Sequence, residues 1–160
     1  MSGNDADRIA RARAQQQKMQ ENVAEQRELA ELRATWQSLA YQLQQEIPVV
    51  LQLLASYNYP GIEIMNLPWG QRRWTDRLLN RSTTKGGWKL GEYRQPVLDG
   101  TATIRVSLLS SGQILYTGPY GSFAGMPGDL LAQVPAEYKA KVLQTALDGL
   151  RRLRNSVKAK

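Results

Sequence analysis

Hydrophobic residues recur at alternating spacings of three and four positions between residues 29 and 53. Residues 5–46, which include most of this repeat, contain neither glycine nor proline. They are rich in alanine, glutamine, glutamate, arginine and leucine, which favour helix formation. Only Glu46 interrupts the repeat with a polar side chain. The pattern predicts a long, partly coiled-coil-like N-terminal helix whose seam residues are Leu29, Leu32, Trp36, Leu39, Leu43, Val50 and Leu53.

Two partners for this seam are consistent with the pattern. We expect the seam to be shared with a second copy or with another helical subunit, and the alternative is that it packs on a sheet of its own chain. Trp36 is bulky for a tight two-stranded coil, which favours a looser bundle or a different partner. Upstream, the register meets Asn22 and Glu25, so we expect the first ~20 residues to form a solvated helical arm. Pro48 disfavours helical geometry at Ile47, and it could start a second helix as its first residue.

From Pro60 onward the alternation of polar and apolar residues changes to that of β-strands. Residues 61–65 and 101–109 alternate, and the turn signals Asp99-Gly100 and Ser110–Gly112 connect 101–109 to further strands at 87–98 and 113–118. In residues 101–109 the alternation places Ile104, Val106 and Leu108 on one face and Arg105 on the other. We predict an antiparallel β-meander of three or four strands with one buried face.

The remaining segments are a glycine-rich stretch and a C-terminal helix. Residues 118–128 are expected to form a plain connecting loop, since they match no phosphate-binding motif. Residues 136–160 predict an amphipathic helix, with one apolar stripe at Tyr138, Val142, Ala146, Leu150, Leu153 and Val157. The fold class is therefore α+β, with a helical arm at 1–57 and an α+β domain at 58–160. Whether residues 70–80 form helix or strand stays open.

The composition excludes several classes of chemistry. The chain has no cysteine and no histidine, so the usual zinc, haem and iron–sulfur sites and imidazole-based nucleophilic catalysis cannot be built. Glu137, Lys139 and the upstream Asp129 resemble the magnesium-binding pattern of restriction-endonuclease-like folds, but that triplet lies on a strand and this one is predicted to open a helix. We expect no cofactor, no metal and no enzymatic activity.

The net charge of +7 is unevenly distributed along the chain. Residues 69–94 carry seven basic side chains against Asp76 and Glu92, and residues 135–160 carry seven against Glu137 and Asp148. Two such local concentrations suit an acidic partner. The candidate anion-binding residues are Arg72, Arg73, Arg77, Arg81, Lys85, Lys89, Arg151, Arg152 and Arg154.

Three tryptophans are interleaved with the cations of residues 69–94. Rings among cations are typical of nucleic-acid grooves, where cations contact phosphates and rings stack on bases. Because tryptophan is usually buried and the chain has one phenylalanine, we instead expect Trp74, Leu78 and Trp88 to pack in the core. The arginines would then remain available to an anionic partner.

These patterns predict a cytoplasmic, non-catalytic assembly protein. Its helix would bind a second copy or another helical subunit, and its basic surface would contact DNA or RNA as part of a complex. The alternative is a pure protein–protein interaction module, such as an immunity or antitoxin-like protein or a complex subunit, that binds an acidic protein. No apolar run is long enough to span a membrane, and residues 1–17 lack the apolar core of a signal peptide, so we expect no membrane partner.

Overall fold

The computed structural model describes residues 3–64, 74–78, 85–119 and 121–159. The chain divides into two compact units, Met1–Thr35 (unit 1) and Trp36–Lys160 (unit 2). Helix α1 (Gly3–Ser56) supplies all the described residues of unit 1, and every one of these is exposed. Residues 36–56, which we assigned from the sequence to the helical arm, contribute to unit 2.

Helix α1 continues through Pro48, so the prediction of a helix end there is wrong. A proline inside a helix removes one backbone hydrogen bond and crowds the preceding turn, at a cost of about 3 kcal/mol. Apolar side chains before and after Pro48 offset this cost, because Leu43, Ile47, Val50 and Leu54 are buried in the core of unit 2. Tertiary packing therefore keeps helical a segment that local propensity would break.

The sheet of unit 2 is antiparallel throughout and follows chain order, β1-β2-β3-β4-β5. This confirms the α+β class and the meander, which has one strand more than the predicted maximum. The short helices α2 and α3 and the long helix α4 complete the described part of the chain. The bounds are β1 Ile62–Ile64, α2 Trp74–Leu78, β2 Lys85–Val97, β3 Gly100–Leu109, β4 Ile114–Gly118, β5 Gly121–Gly125, α3 Pro127–Gln133 and α4 Ala136–Lys158.

The extra strand lies where a plain loop was expected. Residues 121–125 pair with β4, from Gly118 opposite Gly121 to Ile114 opposite Gly125. Gly121 has a φ of 112°, which a glycine adopts at no steric cost, so the chain can reverse there. Phe123 then stacks on Tyr116, with ring centroids 5.9 Å apart. The glycines therefore serve a tight reversal and a close strand pair rather than an irregular loop.

The turn between β2 and β3 is one residue earlier than predicted. Val97 pairs with Gly100, so Leu98 and Asp99 are the turn residues, and Leu98 is fully exposed. The second turn is as expected, since Gly112 donates to the Leu109 carbonyl at 2.9 Å with a φ of 89°. Both reversals thus place a glycine with positive φ at or beside the turn.

The core of unit 2 lies between α1, α4 and one face of the sheet. Ile104, Val106 and Leu108 are fully buried there while Arg105 is exposed, which confirms the predicted alternation. The α4 stripe is likewise buried, apart from Leu153, which is half-buried against the cluster. The opposite face of the sheet has its own small cluster of Leu109, Leu115 and Ala124.

Tyr93 on β2 is a half-buried phenol at the margin of this core. Burial raises the pKa of its hydroxyl above the ordinary range, and the nearby Tyr116 and Tyr138 raise it further. Among the described residues this hydroxyl has no hydrogen-bond partner, so no hydrogen bond stabilises a phenolate.

This environment predicts alkaline instability. A phenol whose pKa is raised by folding contributes full stability below the unfolded value, about 10, and loses it as the pH rises through the folded value. Tyr93→Phe removes this titration. The free energy of unfolding of the variant, measured in urea, should therefore rise relative to that of the wild type between pH 8 and pH 11. If the difference between the two proteins were the same at both pH values, the assignment would be contradicted.

Candidate anion-binding and assembly surfaces

The basic stretch 69–94 is described in part. Arg72, Arg73 and Arg81 lie outside the described residues. Arg77 lies on α2 and Lys85 begins β2, but only their backbone is described. Lys89, further along β2, is the predicted anion-binding residue of this stretch whose side-chain contacts are known.

Helix α2 exposes its two large hydrophobic residues. Trp74 is 65% and Leu78 is 73% exposed, and a spacing of four residues places them on the same side of a helix. The interpretation of these two residues as core is therefore wrong. Trp88, by contrast, is half-buried and packs against the core as expected. For residues 74–78 the open choice between helix and strand is settled as helix.

Lys89 shares a carboxylate with Arg105 on the solvent face of the sheet. Lys89 Nζ is 2.9 Å and Arg105 Nε is 3.6 Å from the same oxygen of Glu92. A hydrogen bond from Lys89 and its charge, with a smaller contribution from Arg105, lower the pKa of Glu92. With the exposed Arg94 nearby on β2, the described side chains of this group are three cations and one acid. This group remains positive after internal pairing.

Arg152 is engaged by the backbone of β2. The register of β2 against β3 shifts between Lys89 and Gly91, which leaves Leu90 outside the ladder. Arg152 Nη2 donates to the Leu90 carbonyl at 2.8 Å. One of the predicted anion-binding cations thus satisfies a carbonyl that the bulge leaves without a strand partner.

Arg151 and Arg154 face the acid that interrupts the α1 seam. Arg151 Nε and Arg154 Nη1 each lie 3.9 Å from an oxygen of Glu46, which is three-quarters buried. At this distance the contacts are ion pairs rather than short hydrogen bonds. The polar interruption of the repeat therefore has its partners on α4 of the same chain. The structure does not bring the two predicted basic stretches into one described cluster.

Two lysines of α4 lie over aromatic rings. Lys139 Nζ is 5.0 Å from the centre of the Trp36 ring, and Lys141 Nζ is 5.5 Å from that of Tyr93. Both distances are within the range of a cation–π interaction. These cations accordingly have an internal role in unit 2, as Arg151, Arg152 and Arg154 do.

The seven seam residues are divided between the two units. Leu43 and Val50 are fully buried in unit 2, and Trp36, Leu39 and Leu53 are half-buried against the same core. In unit 1, Leu29 and Leu32 remain 43% and 42% exposed. From Trp36 onward, the side chains that the repeat offers are used by the chain's own core. The part of the seam that is open to another helix lies in unit 1.

The nuclease-like residues lie at the starts of two helices. Glu137 lies exposed in the first turn of α4, in a helix rather than a strand. Asp129 accepts a hydrogen bond from the Met126 backbone N–H at 3.2 Å and so caps α3. Within residues 3–64, 74–78, 85–119 and 121–159, no group of three or more acidic side chains could hold a metal ion. Among the helices described, none is long and apolar enough to cross a membrane.

No protein-family model, curated protein or solved structure matches this chain.

Proposed function

We propose that this protein is a non-catalytic assembly protein whose basic segment 69–94 contacts nucleic acid as part of a complex. The observation that supports this most is the exposure of Trp74 on α2, in a stretch with seven basic residues and two acidic ones. A large exposed ring among cations is suited to stacking on a base while the cations contact phosphates. An exposed tryptophan gains little from folding, so a binding role explains it better than a structural one.

The same observation favours single-stranded nucleic acid. A ring can stack on a base only when the base face is accessible, which duplex stacking prevents. Leu78 lies one helical turn from Trp74 and enlarges the apolar surface beside the ring. Cations on the exposed sheet face, Lys89, Arg94 and Arg105, would extend the positive surface.

The assembly part of the proposal is based on unit 1. Its helix exposes Leu29 and Leu32, each of which leaves about two fifths of its surface open. A helix that is exposed on all sides gains no tertiary packing, although packing supplies most helical stability in proteins. A second copy or another helical subunit would supply it.

Trp74→Ala tests the stacking role. We expect the affinity for a single-stranded oligonucleotide to fall roughly tenfold to a hundredfold, the usual contribution of one stacked base. The melting temperature should stay unchanged, because the ring is exposed. Trp88→Ala is the matched control, since its ring packs against the core and its loss should lower the melting temperature. Fluorescence anisotropy and thermal unfolding measure the two effects. Unchanged affinity in Trp74→Ala would contradict the stacking role.

Arg72→Ala with Arg73→Ala tests the phosphate contacts. Loss of two phosphate contacts should weaken binding about equally for all sequences and make the salt slope shallower by roughly two. Affinity measured across a series of salt concentrations gives this slope. If no oligonucleotide binds even at low salt, and an acidic protein instead forms one saturable complex with the basic segment, the alternative function is correct.

A further inference from the structure

Unit 1 carries a second apolar stripe, in a different heptad register from the seam at Leu29 and Leu32. Ile9 and Met19 both lie within about 40° of Val23 on a helix of 3.6 residues per turn. Ala12 and Gln16 fall between them on the same face. The three large side chains are 51%, 67% and 48% exposed, respectively. Leu32 is nine residues beyond Val23, and two and a half turns place it on the opposite side of the helix.

Between residues 8 and 27 the charges beside this second stripe are all cations, whereas Asp5 lies on the same face one turn before Ile9 and Glu31 lies one turn after Arg27. Between residues 8 and 27, the positions that flank the stripe carry Arg8, Arg13 and Arg27 and no acid. The two acids of the same span, Glu21 and Glu25, fall on the far side of the helix by the same 3.6-residue periodicity. The stripe is thus apolar with cationic margins. In helical pairs, these margins hold the charges that select the partner.

We propose that the second stripe docks an amphipathic helix of a partner protein whose own apolar stripe is flanked by glutamate or aspartate. This inference rests on the assembly role proposed above and names the partner class for one face of unit 1. The alanine at position 12, within the stripe, leaves room for the partner's larger side chains to approach the α1 backbone. Acidic margins on the partner would then meet Arg8, Arg13 and Arg27.

A second copy is disfavoured as the occupant of this stripe. Between residues 8 and 27 the flanking charges are all cations, so self-pairing over this span brings cation to cation in both the parallel and the antiparallel orientation. An anionic membrane surface is also a poorer fit. The stripe has three large apolar side chains in about four turns, a glutamine among them and no aromatic ring, whereas interfacial helices bury a broad apolar face.

Two synthetic four-heptad peptides test the proposal against the full-length protein. Both have leucine at the a and d positions, and they differ only in glutamate or lysine at e and g. We expect the glutamate peptide to bind about tenfold or more tightly than the lysine peptide, as several flanking ion pairs would give. Arg13→Glu with Arg27→Glu should reverse this preference. Isothermal titration calorimetry gives the affinities, and circular dichroism checks that each variant remains helical.

A second pair of variants identifies the face. Met19→Lys with Val23→Lys should weaken binding of the glutamate peptide by roughly a hundredfold, since two buried side chains are lost. Ala14→Lys, nine residues before Val23 and so on the opposite side of the helix, should leave binding unchanged. The proposal is overturned if neither peptide binds, if both bind equally, or if Ala14→Lys abolishes binding.

Recruitment to phosphatidylserine-containing vesicles through Met19 and Val23, without binding of the glutamate peptide, would replace the partner helix by a membrane and also overturn the proposal. These outcomes are independent of oligonucleotide binding at Trp74. Failure of the peptide experiment therefore leaves the nucleic-acid role standing, and failure of the oligonucleotide experiment leaves this result intact.

Discussion

Leu43→Lys should unfold unit 2, whereas Leu32→Lys should leave its melting temperature unchanged. Both leucines belong to the same heptad seam of α1, but Leu43 is fully buried in the core and Leu32 is 42% exposed in unit 1. A lysine at position 43 both removes about 3–5 kcal/mol of apolar packing and places an ammonium group in an apolar cluster, where the neighbouring acid, Glu46, already faces Arg151 and Arg154. This loss is comparable to the whole stability of a typical domain.

Thermal unfolding followed by circular dichroism distinguishes the two variants. Light scattering then tests whether the exposed end of the seam is an interface, because Leu29→Lys with Leu32→Lys should lower the mass of a self-assembly without changing the melting temperature. If the Leu43→Lys variant stayed folded and had a lower mass than the wild type, the seam from Trp36 to Leu53 would be shared between chains.

The sequence predicted the order and type of the main elements because their periodicities are strong. The alternation of residues 101–109 and the stripe of α4 each match a buried face. The heptad pattern also located α1, but it could not say what the seam packs against. A seam of apolar residues has the same spacing whether it faces another helix or its own sheet. For the seam residues from Trp36 to Leu53, the pairing of Glu46 with Arg151 and Arg154 shows that the partner is the chain's own domain. That pairing joins residues far apart in the sequence, so the heptad pattern could not reveal it.

The candidate sites were harder to predict because burial and pairing are tertiary properties. Trp74 was assigned to the core on its residue type alone, although the spacing from Trp74 to Leu78 on a short helix was compatible with an exposed face. Arg152 was counted as a free cation because a β-bulge at Leu90 leaves no clear trace in the strand pattern. The glycine at position 91 was the one signal, since an isolated glycine in a strand often marks a bulge.

Gly149→Ala should destabilise unit 2 by about 3 kcal/mol or more, although alanine is the better helix former by about 1 kcal/mol. Gly149 lies in the interior of α4, and a Cβ there would overlap the Leu90 carbonyl and side chain. At Gly91, on the strand that α4 covers, a Cβ would lie 2.7 Å from Thr145 Cγ2. Helix and strand therefore approach backbone to backbone. An added methyl group at either position must push α4 away from β2.

Separation of α4 from β2 would also lengthen the 2.8 Å hydrogen bond from Arg152 to the Leu90 carbonyl, so the Gly149→Ala variant should lose packing and a part-buried polar contact together. Gly128→Ala is the matched control. Gly128 is also helical, in α3, but a Cβ there meets no atom within 4 Å, so the change should be neutral or stabilising by up to about 1 kcal/mol. Urea unfolding of both variants gives the two free energies. If the Gly149→Ala variant were as stable as the Gly128→Ala variant, α4 could not lie as close to the Leu90 bulge as the structure places it. The hydrogen bond from Arg152 to β2 would then not form, and Arg152 would be a free cation on the surface of α4.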